Sequence, residues 1–446
     1  MTMRRYVIIG AGAAGVAAAE AIRSRDTAGE ILMLCAEPDG FYSRPGLAYY
    51  LNGEIPEKQL HPFHSQDFAR LNITLRKDPV IALDPEGHTA RLASGKTITY
   101  DKALIATGAS ARSPRDVPGT RLEGVVKLDN LSDARQIIKL VRWRKRAVVV
   151  GGGITALEIV EGLLARGVKV HYFLRGERYW GSVLDEQESR IVEHRLQEEG
   201  VQIHYHTELA EIMEKRGRVA GVRTKKGETI KCGIVGIAIG VQPNIKVAVD
   251  AGLETDRGIL VNPYLQTSHP DVYAAGDVTQ VVYPDRGKQR LNVLWWVARR
   301  EGHIAGLNMT GHKTYYHPDV PFNVTRLAGL TTTIIGSVGR GSEHDDDLLG
   351  IARGDSETWR ELPDAIVAQR GFDVNRMRLM IGEKHLLGAL VMGDQTLSQP
   401  LHHLVTNKVD ITPIRERLLM PQAPIGEILA EFWSEWRQTN ATSQQP

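Results

Sequence analysis

Residues 6–15 read Tyr-Val-Ile-Ile-Gly-Ala-Gly-Ala-Ala-Gly and decide the fold of the amino-terminal part of the chain. The β-branched run at 7–9 predicts a buried strand, glycines follow at 10, 12 and 15, and the alanine-rich run at 16–22 predicts a helix. In this G-x-G-x-x-G pattern the first glycine permits a tight turn. The second admits a pyrophosphate at the helix N-terminus, and the third lets helix and strand pack closely. The stretch predicts a dinucleotide site without distinguishing FAD from NAD.

An acidic residue follows the second predicted strand, at the position where a dinucleotide site binds a ribose. The apolar strand predicted at 31–34 leads to Glu37, which lies 22 residues after Gly15. A carboxylate at this strand end can accept hydrogen bonds from ribose hydroxyls. We therefore expect Glu37 to contact the adenosine ribose.

Length and composition narrow the class of protein. A chain of 446 residues is long enough for two to three domains, and its 44 glycines suit a protein with many tight turns. The net charge of +2 gives no support for a nucleic-acid or anionic-membrane partner. No signal peptide and no transmembrane segment are expected. Cys35 and Cys232 are too few for a disulfide framework, and we expect buried thiols and a cytoplasmic protein.

The strand-turn-helix plan occurs twice. Residues 147–174 repeat the plan of residues 6–34, with a strand, the glycine turn 151–153, a helix at 155–166 and a strand at 168–174. Such a duplication predicts a second nucleotide site. Two further motifs follow the same logic of a strand that ends on glycine, at 103–108 and at 267–278.

Four motifs in order carry a family resemblance: GAGAAG at 10–15, ATG at 106–108, GGGITA at 151–156 and AAGD at 274–277. The set resembles the FAD-dependent pyridine nucleotide-disulfide oxidoreductase superfamily over residues 1 to about 311. The remainder is similar to the third domain of its NADH oxidase, rubredoxin (ferredoxin) reductase and nitrite reductase branch. The resemblance implies an α/β protein with two Rossmann-like three-layer domains and a smaller α+β C-terminal domain.

The resemblance also implies domain boundaries. The FAD-binding domain is discontinuous, with residues 1–112 and 240–316, and the NAD(P)-binding domain, 113–239, is inserted into it. The C-terminal domain, of the interface or dimerisation type, covers 317–437. The polar composition of residues 438–446 predicts a disordered tail. A homodimer is one expectation for this architecture.

The resemblance assigns residues to both nucleotides. For FAD it implies Gly10, Gly12, Ala13, Ala14, Gly15, Glu37, Arg44, Val80, Ala106, Thr107, Gly108, Gly276 and Asp277. For NAD(P)H it implies Gly151, Gly153, Ile154, Thr155, Ala156, Arg175, Arg178 and Gly240.

The redox cysteines of many members are missing. Cys35 and Cys232 cannot form C-x-x-x-x-C, and the single cysteine of a related branch is replaced by Pro45. Without a thiolate, disulfide reduction loses its nucleophile. The loop Phe-Tyr-Ser-Arg-Pro-Gly-Leu at 41–47 instead resembles that of reductases that feed ferredoxins and rubredoxins. We therefore expect electrons to leave the flavin directly.

Three side chains are candidates for positioning rather than for chemistry. Glu158 matches a family glutamate near the nicotinamide, or it is a helix-surface acid. Arg44 pairs with the flavin or a pyrophosphate oxygen, or it packs as a surface arginine on Tyr42. Tyr49, where related reductases usually have lysine, lines the flavin together with Tyr50, or both belong to the core. No acid–base pair is required, because the cofactor supplies the hard step.

The choice of nicotinamide depends on one strand end. NAD enzymes of the superfamily usually have an acid where this chain has Leu174, and Arg175 and Arg178 follow. Arginine can pair with a 2′-phosphate, and Ala156 in place of a third glycine points the same way. NADPH is therefore favoured over NADH, and the alternative for both arginines is a basic surface loop.

The electron acceptor stays open between three classes. An electron-carrier protein or partner subunit comes first, a small acceptor such as O₂ or a quinone second, and a non-catalytic redox-sensing or scaffold flavoprotein third. The predicted helix at 425–437 carries an apolar stripe that packs on its own domain or docks a partner; membrane binding is the weakest alternative, because its polar face is acidic. His61, His64, His402 and His403 lack ligand spacing, so no metal is expected.

Overall fold

The structure is a computed structural model that describes residues 3–285, 287, 288, 291, 293–339, 348–354 and 374–441. The chain divides into two compact units. The first unit comprises Met1–Gly151, Glu158–Val170 and Leu209–Pro318. The second comprises Gly152–Leu157, His171–Glu208 and Asp319–Pro446.

The first 111 residues contain eight strands, three α-helices and the 3-10 helix Glu57–Leu60. The strands are β1 Arg5–Ile9, β2 Glu30–Leu34, β3 Ile73–Arg76, β4 Val80–Asp84, β5 Thr89–Leu92, β6 Thr97–Thr99, β7 Lys102–Ile105 and β8 Ala109–Ala111. The helices are α1 Ala13–Arg25, α2 Gly46–Asn52 and α3 Ser65–Arg70.

The middle of the chain repeats strand and helix. Its strands are β9 Val125–Val126, β10 Arg146–Val150, β11 Lys169–Phe173, β12 Gln202–His204, β13 Leu209–Lys215, β14 Arg218–Thr224, β15 Thr229–Ile230, β16 Ile234–Ile237 and β17 Val241–Pro243. Its helices are α4 Leu131–Leu140, α5 Ile154–Leu164 and α6 Glu186–Glu198.

The remaining described elements fall into two groups. Before residue 310 they are α7 Lys246–Asp250, β18 Ile259–Val261, β19 Val272–Ala274, β20 Thr279–Tyr283, β21 Gly287–Lys288 and α8 Trp295–Met309. After it they are β22 Phe322–Leu327, β23 Leu330–Gly336, β24 Leu348–Gly354, β25 Arg376–Gly382, β26 Leu386–Met392, α9 Ser398–Thr406, α10 Thr412–Leu419 and α11 Ile425–Ala441.

A parallel sheet with the order β19-β7-β1-β2-β3 forms the centre of the first unit. Its β1 strand is buried on both faces, as expected for the sheet of a doubly wound α/β fold. Helices α1 and α8 pack together without room for side chains at the contact. A Cβ at Gly302 would lie 2.0 Å from the Ala14 carbonyl oxygen, and one at Gly306 would lie 2.5 Å from that of Ala18.

Smaller sheets surround this core in the first unit. Strands β4, β5 and β6 form an antiparallel sheet, and β13, β14 and β15 form another. Strand β16 pairs in parallel with β10 and with β9. Strands β8 and β17 form an antiparallel ribbon in which Ala111 pairs with Val241.

The second unit has an antiparallel sheet with the order β22-β23-β26-β25-β24. Helices α9, α10 and α11 supply apolar residues to the core that covers this sheet. In the same unit β11 pairs in parallel with β12. The expected α/β architecture with an additional α+β part is confirmed, and the domain boundaries stay predictions.

The apolar stripe of α11 packs within its own unit. Ile425, Ile428, Leu429 and Phe432 are buried in the core of the second unit, which confirms the simplest of the expectations for this helix. The helix continues to Ala441, so residues 438–441 are helical rather than part of the disordered tail expected from 438. The last five residues, 442–446, lie outside the described residues. Most of residues 341–376, a stretch with many charged side chains, also lie outside the described residues.

Candidate functional site

The first glycine turn has the shape that a bound pyrophosphate requires. Gly10 has a φ of 119°, and a Cβ there would lie 2.1 Å from the Ala106 carbonyl oxygen. A Cβ at Gly15 would lie 2.1 Å from the Gly10 carbonyl oxygen. Gly12, by contrast, has no atom within 4 Å of such a position. Two glycines are thus required by packing, and the third leaves open space at the N-terminus of α1, which no side chain caps.

Glu37 lies at the centre of a hydrogen-bonded network just after β2. Its carboxylate accepts a hydrogen bond of 2.6 Å from the Tyr42 hydroxyl and an ion pair from Arg44. The Tyr42 hydroxyl accepts a 3.1 Å hydrogen bond from the backbone N–H of Leu131, at the start of α4. Arg44 also donates to the carbonyl oxygen of Asp129. Arg44 is therefore more than a surface arginine packed on Tyr42, because it pairs with Glu37, the acid predicted to contact the ribose.

Burial changes the proton affinity of this network and of the neighbouring acid. Burial raises the pKa of Tyr42 well above its usual range, so its hydroxyl keeps the proton that it donates to Glu37. Asp277 is half-buried after β19, and burial raises the pKa of its carboxyl to about 6 although the charge of Arg44 opposes the shift. Arg44 is thus close enough to act on both carboxylates of the predicted FAD site.

Glu301 is a buried acid of this site that the sequence motifs do not identify. From α8 its carboxylate accepts hydrogen bonds from the Gly276 N–H at 2.8 Å and from the Thr279 hydroxyl at 2.7 Å. Burial raises the pKa of its carboxyl to about 7. Glu301 therefore fixes the turn that presents Asp277. The one sequence signal for this acid is that it directly precedes Gly302, a glycine inside α8.

The strand end at 106–108 is tied to a residue 137 positions away. The Thr107 hydroxyl donates to the Asn244 carbonyl oxygen at 2.9 Å, and the Asn244 amide donates to the Thr107 carbonyl oxygen at 2.9 Å. Gly108 has a φ of 66°, and its carbonyl oxygen accepts from the Asn244 N–H. Val80, also assigned to FAD, pairs with Leu92 at the start of β4.

The second glycine turn is open in the same way as Gly12. In the first unit Gly151 has a φ of 148° at the end of β10. In the second unit Gly152 and Gly153 have no atom within 4 Å of a Cβ position, and Ile154 begins α5, which also carries Thr155 and Ala156. Gly240 has a φ of 104° and precedes β17.

Glu158 is not an ordinary helix-surface acid. Its side chain is half-buried on α5, and burial raises the pKa of its carboxyl to about 7. Perturbed carboxyls of this kind concentrate at functional sites, which favours the positioning role over the surface alternative.

The two arginines after β11 differ in their surroundings. Leu174 is buried and Arg175 is exposed. Arg178 is half-buried and donates to Glu177 at 3.0 Å. Arg175 is therefore the side chain of this pair that extends into solvent from the strand end.

The loop that carries these arginines is anchored within the second unit. The Tyr179 N–H donates to the Glu193 carboxylate at 2.6 Å. Further along, Arg378 of β25 donates to the Val183 carbonyl oxygen at 2.7 Å and to the Glu188 carboxylate at 2.8 Å. The arginine and the glutamate are 1% and 0% exposed. These contacts were not predictable from the motif.

Tyr49 and Tyr50, the two tyrosines predicted to line the flavin or to belong to the core, differ in their surroundings. Tyr49 is exposed, whereas the Tyr50 hydroxyl donates to Glu57 at 2.8 Å. Trp295 stacks on Phe41 with ring centroids 5.9 Å apart, and Trp296 is exposed.

Cys35 and Cys232 are buried, as expected, and Pro45 precedes the first turn of α2. Within the described residues, no group of three or more potential ligands forms a metal site. No helix in the described ranges is long and apolar enough to cross a bilayer.

Comparison with known proteins agrees with this geometry. A family model described as pyridine nucleotide-disulphide oxidoreductase matches residues 4–302. Rhodocoxin reductase of Rhodococcus erythropolis is 33% identical over an alignment of 349 residues, and the match covers 75% of this chain and 80% of that protein. The NADH-dependent phenylglyoxylate dehydrogenase subunit epsilon of Aromatoleum evansii is 27% identical over 435 residues, 96% of this chain and 98% of that one.

Solved structures extend the likeness over the whole chain. A ferredoxin reductase of Rhodopseudomonas palustris gives a TM-score of 0.82 at 25% identity and covers 96% of this chain and 99% of its own. An engineered water-forming NADPH oxidase, made by five substitutions in the NADH oxidase of Lactobacillus brevis, gives a TM-score of 0.82 at 20% identity and covers 99% and 100%. At 20% identity, the similarity to the NADPH oxidase shows a shared fold alone.

Proposed function

The chain belongs to the pyridine nucleotide-disulphide oxidoreductase family and is an FAD-dependent NAD(P)H oxidoreductase, and from this premise we propose that it reduces a protein electron carrier directly. The carrier is of the ferredoxin or rubredoxin class. Direct transfer from flavin to carrier is supported by one observation, the lack of a redox-active cysteine. Position 45 is proline, and both thiols of the chain are buried. Burial raises the pKa of both thiols, to about 12 for Cys232, so neither is a thiolate that could relay electrons.

The residues present fit FAD. The open space at Gly12 can accept a pyrophosphate, and Glu37 can accept hydrogen bonds from a ribose. Glu301 binds the N–H of Gly276, directly before Asp277, and so holds the turn that carries this acid. When bound, FAD supplies hydride acceptance from NAD(P)H and release of electrons to the acceptor. The protein's own contribution is to bind the cofactor, orient it and balance its charge. We assign the charge-balancing role to Arg44, because it pairs with Glu37 and its charge also lowers the pKa of Asp277.

Glu158 is proposed to orient the nicotinamide. A carboxyl whose pKa is about 7 is partly protonated near neutral pH, so it can donate or accept a hydrogen bond. Glu158→Gln should keep positioning and remove the ionisation. We expect the rate of flavin reduction in this variant to lose its dependence on pH around 7, which stopped-flow absorbance would measure.

The coenzyme is proposed to be NADPH, with Arg175 as the contact to its 2′-phosphate. The engineered NADPH oxidase exchanges a glycine for alanine, an aspartate for alanine 18 positions later, and the next alanine for arginine. This chain has Ala156, Leu174 and Arg175 with the same spacing. Exposed Arg175 supports the assignment more strongly than Arg178, which donates to Glu177.

The coenzyme proposal has a direct test. Leu174→Asp with Arg175→Ala should lower kcat/KM for NADPH and raise it for NADH, because the aspartate accepts from the ribose and repels a phosphate. Arg257→Ala, another exposed arginine, is the matched control. A wild-type kcat/KM that is higher with NADH than with NADPH would contradict the proposal.

The acceptor proposal is supported by the names of relatives, one a rhodocoxin reductase and one a ferredoxin reductase. A relative matched over nearly its whole length is named as a subunit, which supports a partner subunit as the form that the carrier takes. Reoxidation of the NADPH-reduced enzyme should be slow with O₂ or a quinone alone and fast with added ferredoxin or rubredoxin. Rapid reoxidation by O₂ alone would instead identify an oxidase.

Domain organisation, assembly and location are part of the same proposal. We infer an NAD(P)-binding domain at 113–239 inserted between 1–112 and 240–316, a C-terminal domain from 317, a homodimer, and a cytoplasmic location. Buried thiols support the location, and sedimentation equilibrium would test the assembly.

A further inference from the structure

One tryptophan in the described part of the chain is more exposed than any of the others there. Trp143 lies in the turn between α4 and β10 and is 87% exposed. Its neighbour Arg144 is only 16% exposed and donates to the Glu123 carboxylate at 2.6 Å and to the Gly233 carbonyl oxygen at 2.7 Å. Tryptophan is usually more buried than arginine, but here the arginine is the more buried of the two neighbours and the indole is exposed. Packing of this chain does not account for the arrangement.

Basic residues surround this indole. Residues 134–157 contain six lysines and arginines and no acid, although the whole chain has a net charge of only +2. Arg142, Lys145 and Arg146 are exposed, and within the described part of the chain they form no ion pair. Lys169, also exposed, adjoins them, since its N–H donates to the Lys145 carbonyl oxygen at 3.0 Å. The acid that faces them, Glu123, is already paired with Arg144 and Arg218.

The turn lies at the amino-terminal end of β10, and the coenzyme turn follows the opposite end of the same strand. Strand β10 begins at Arg146 and ends at Val150, directly before Gly151. Its five residues separate the two ends by about 17 Å. A surface bound at the turn would therefore leave the nucleotide turn accessible.

We propose that residues 141–146 form a docking surface for an anionic lipid bilayer, with Trp143 in the headgroup layer and Arg142, Lys145 and Arg146 on lipid phosphates. Tryptophan favours the membrane–water interface, and basic residues next to it are attracted by anionic headgroups. A protein interface fits less well, because its core needs several apolar residues and few lysines. Residues 82–238, all of them described, expose no other large apolar side chain.

The inference goes beyond the proposed function and does not depend on the identity of coenzyme or acceptor. The test is flotation of the FAD-loaded protein with vesicles of equal parts phosphatidylcholine and phosphatidylglycerol, against vesicles of phosphatidylcholine alone. Wild type should bind only the anionic vesicles, and binding should weaken as salt is raised. Trp143→Ala should lower binding at least tenfold. Arg142→Gln with Lys145→Gln should lower it by about fivefold for each residue.

Controls keep the result specific to this surface. Met420→Ala and Arg91→Gln with Lys96→Gln remove an exposed apolar residue and two exposed charges elsewhere, and they should bind like wild type. Flavin reduction by NAD(P)H should be retained in every variant, which shows that each one folds. Absence of wild-type binding, or binding unchanged by Trp143→Ala, overturns the proposal. Binding of a DNA duplex that depends on Trp143, without vesicle binding, also overturns it and identifies a nucleic-acid surface.

Discussion

Replacing Arg378 with methionine should destabilise the second unit through the acid that is left behind. In the native structure the guanidinium donates to Glu188 at 2.8 Å, to the Val338 carbonyl oxygen at 2.8 Å and to the Val183 carbonyl oxygen at 2.7 Å. Methionine fills most of the volume but supplies no donor. The carboxylate of Glu188, which is 0% exposed, then keeps, among the described residues, only the more distant cation of Arg376, whose Nε lies 4.0 Å from it. Breaking a buried pair in this way costs about 3–5 kcal/mol of unfolding free energy.

The charge argument makes a sharper prediction for the double variant. Glu188 also caps α6, because its carboxylate accepts from the Asp185 N–H at 2.8 Å. Glu188→Gln keeps an oxygen for this cap and removes the charge. Arg378→Met with Glu188→Gln should therefore be more stable than Arg378→Met alone, by about 1–3 kcal/mol, the cost of burying an unpartnered polar group.

Urea unfolding followed by tryptophan fluorescence would measure these free energies. The matched control is Arg417→Met, which removes an arginine that pairs with Glu431 at 3.0 Å on the exposed surface of the same unit. It should cost at most about 1 kcal/mol. If Arg378→Met cost no more than this control, or if the double variant were the less stable one, the reasoning from the buried charge would be refuted.

Three further predictions concern the nucleotide sites. Gly10→Ala should lower the unfolding free energy by about 3 kcal/mol or more, since its Cβ meets a carbonyl oxygen at 2.1 Å and its φ is 119°. Gly12→Ala should fold normally and lose FAD, measured as flavin absorbance per protein against circular dichroism; retention of FAD would contradict the fit. Glu301 has a pKa of about 7 when folded against 4.5 ordinarily, so its native carboxyl holds the extra proton between these values, and stability falls as pH rises from about 4.5 to 7. This decline amounts to about 3 kcal/mol of unfolding free energy. Glu301→Gln should flatten it in urea midpoints taken across that pH range, and an unchanged slope would place the titration elsewhere.

Local signals account for what the sequence predicted well. The glycine turns, the strands beside them and the missing cysteine are properties of short stretches, where a backbone constraint selects a residue type. Gly10 and Gly15 are needed for close approach and Gly12 for open space, as the motif implies. The ends of elements were approximate, since the helix predicted at 155–166 is observed as α5, Ile154–Leu164.

Contacts between distant residues account for what the sequence did not predict. Asn244 bonds Thr107 across 137 positions, and Arg378 bonds Glu188 across 190. Glu301 is only 25 positions from Gly276, yet nothing local distinguishes it from a solvated helix acid. Residues 438–441 were assigned to a disordered tail because they are polar, but they continue the helix whose apolar face is already packed.

The ribbon formed by β8 and β17 has a consequence for how such a chain can be rebuilt. Ala111 and Val241 are paired neighbours, and the Arg112 N–H donates to the Gly240 carbonyl oxygen at 2.9 Å. The chain segment between these two strands therefore begins and ends at the same end of the ribbon. A two-residue Asn-Gly turn could join Ala111 to Val241 as an ordinary hairpin. The 129 residues from 112 to 240 thus occupy the position of a hairpin loop, where foreign sequence can be exchanged without cutting the parallel sheet that holds β1.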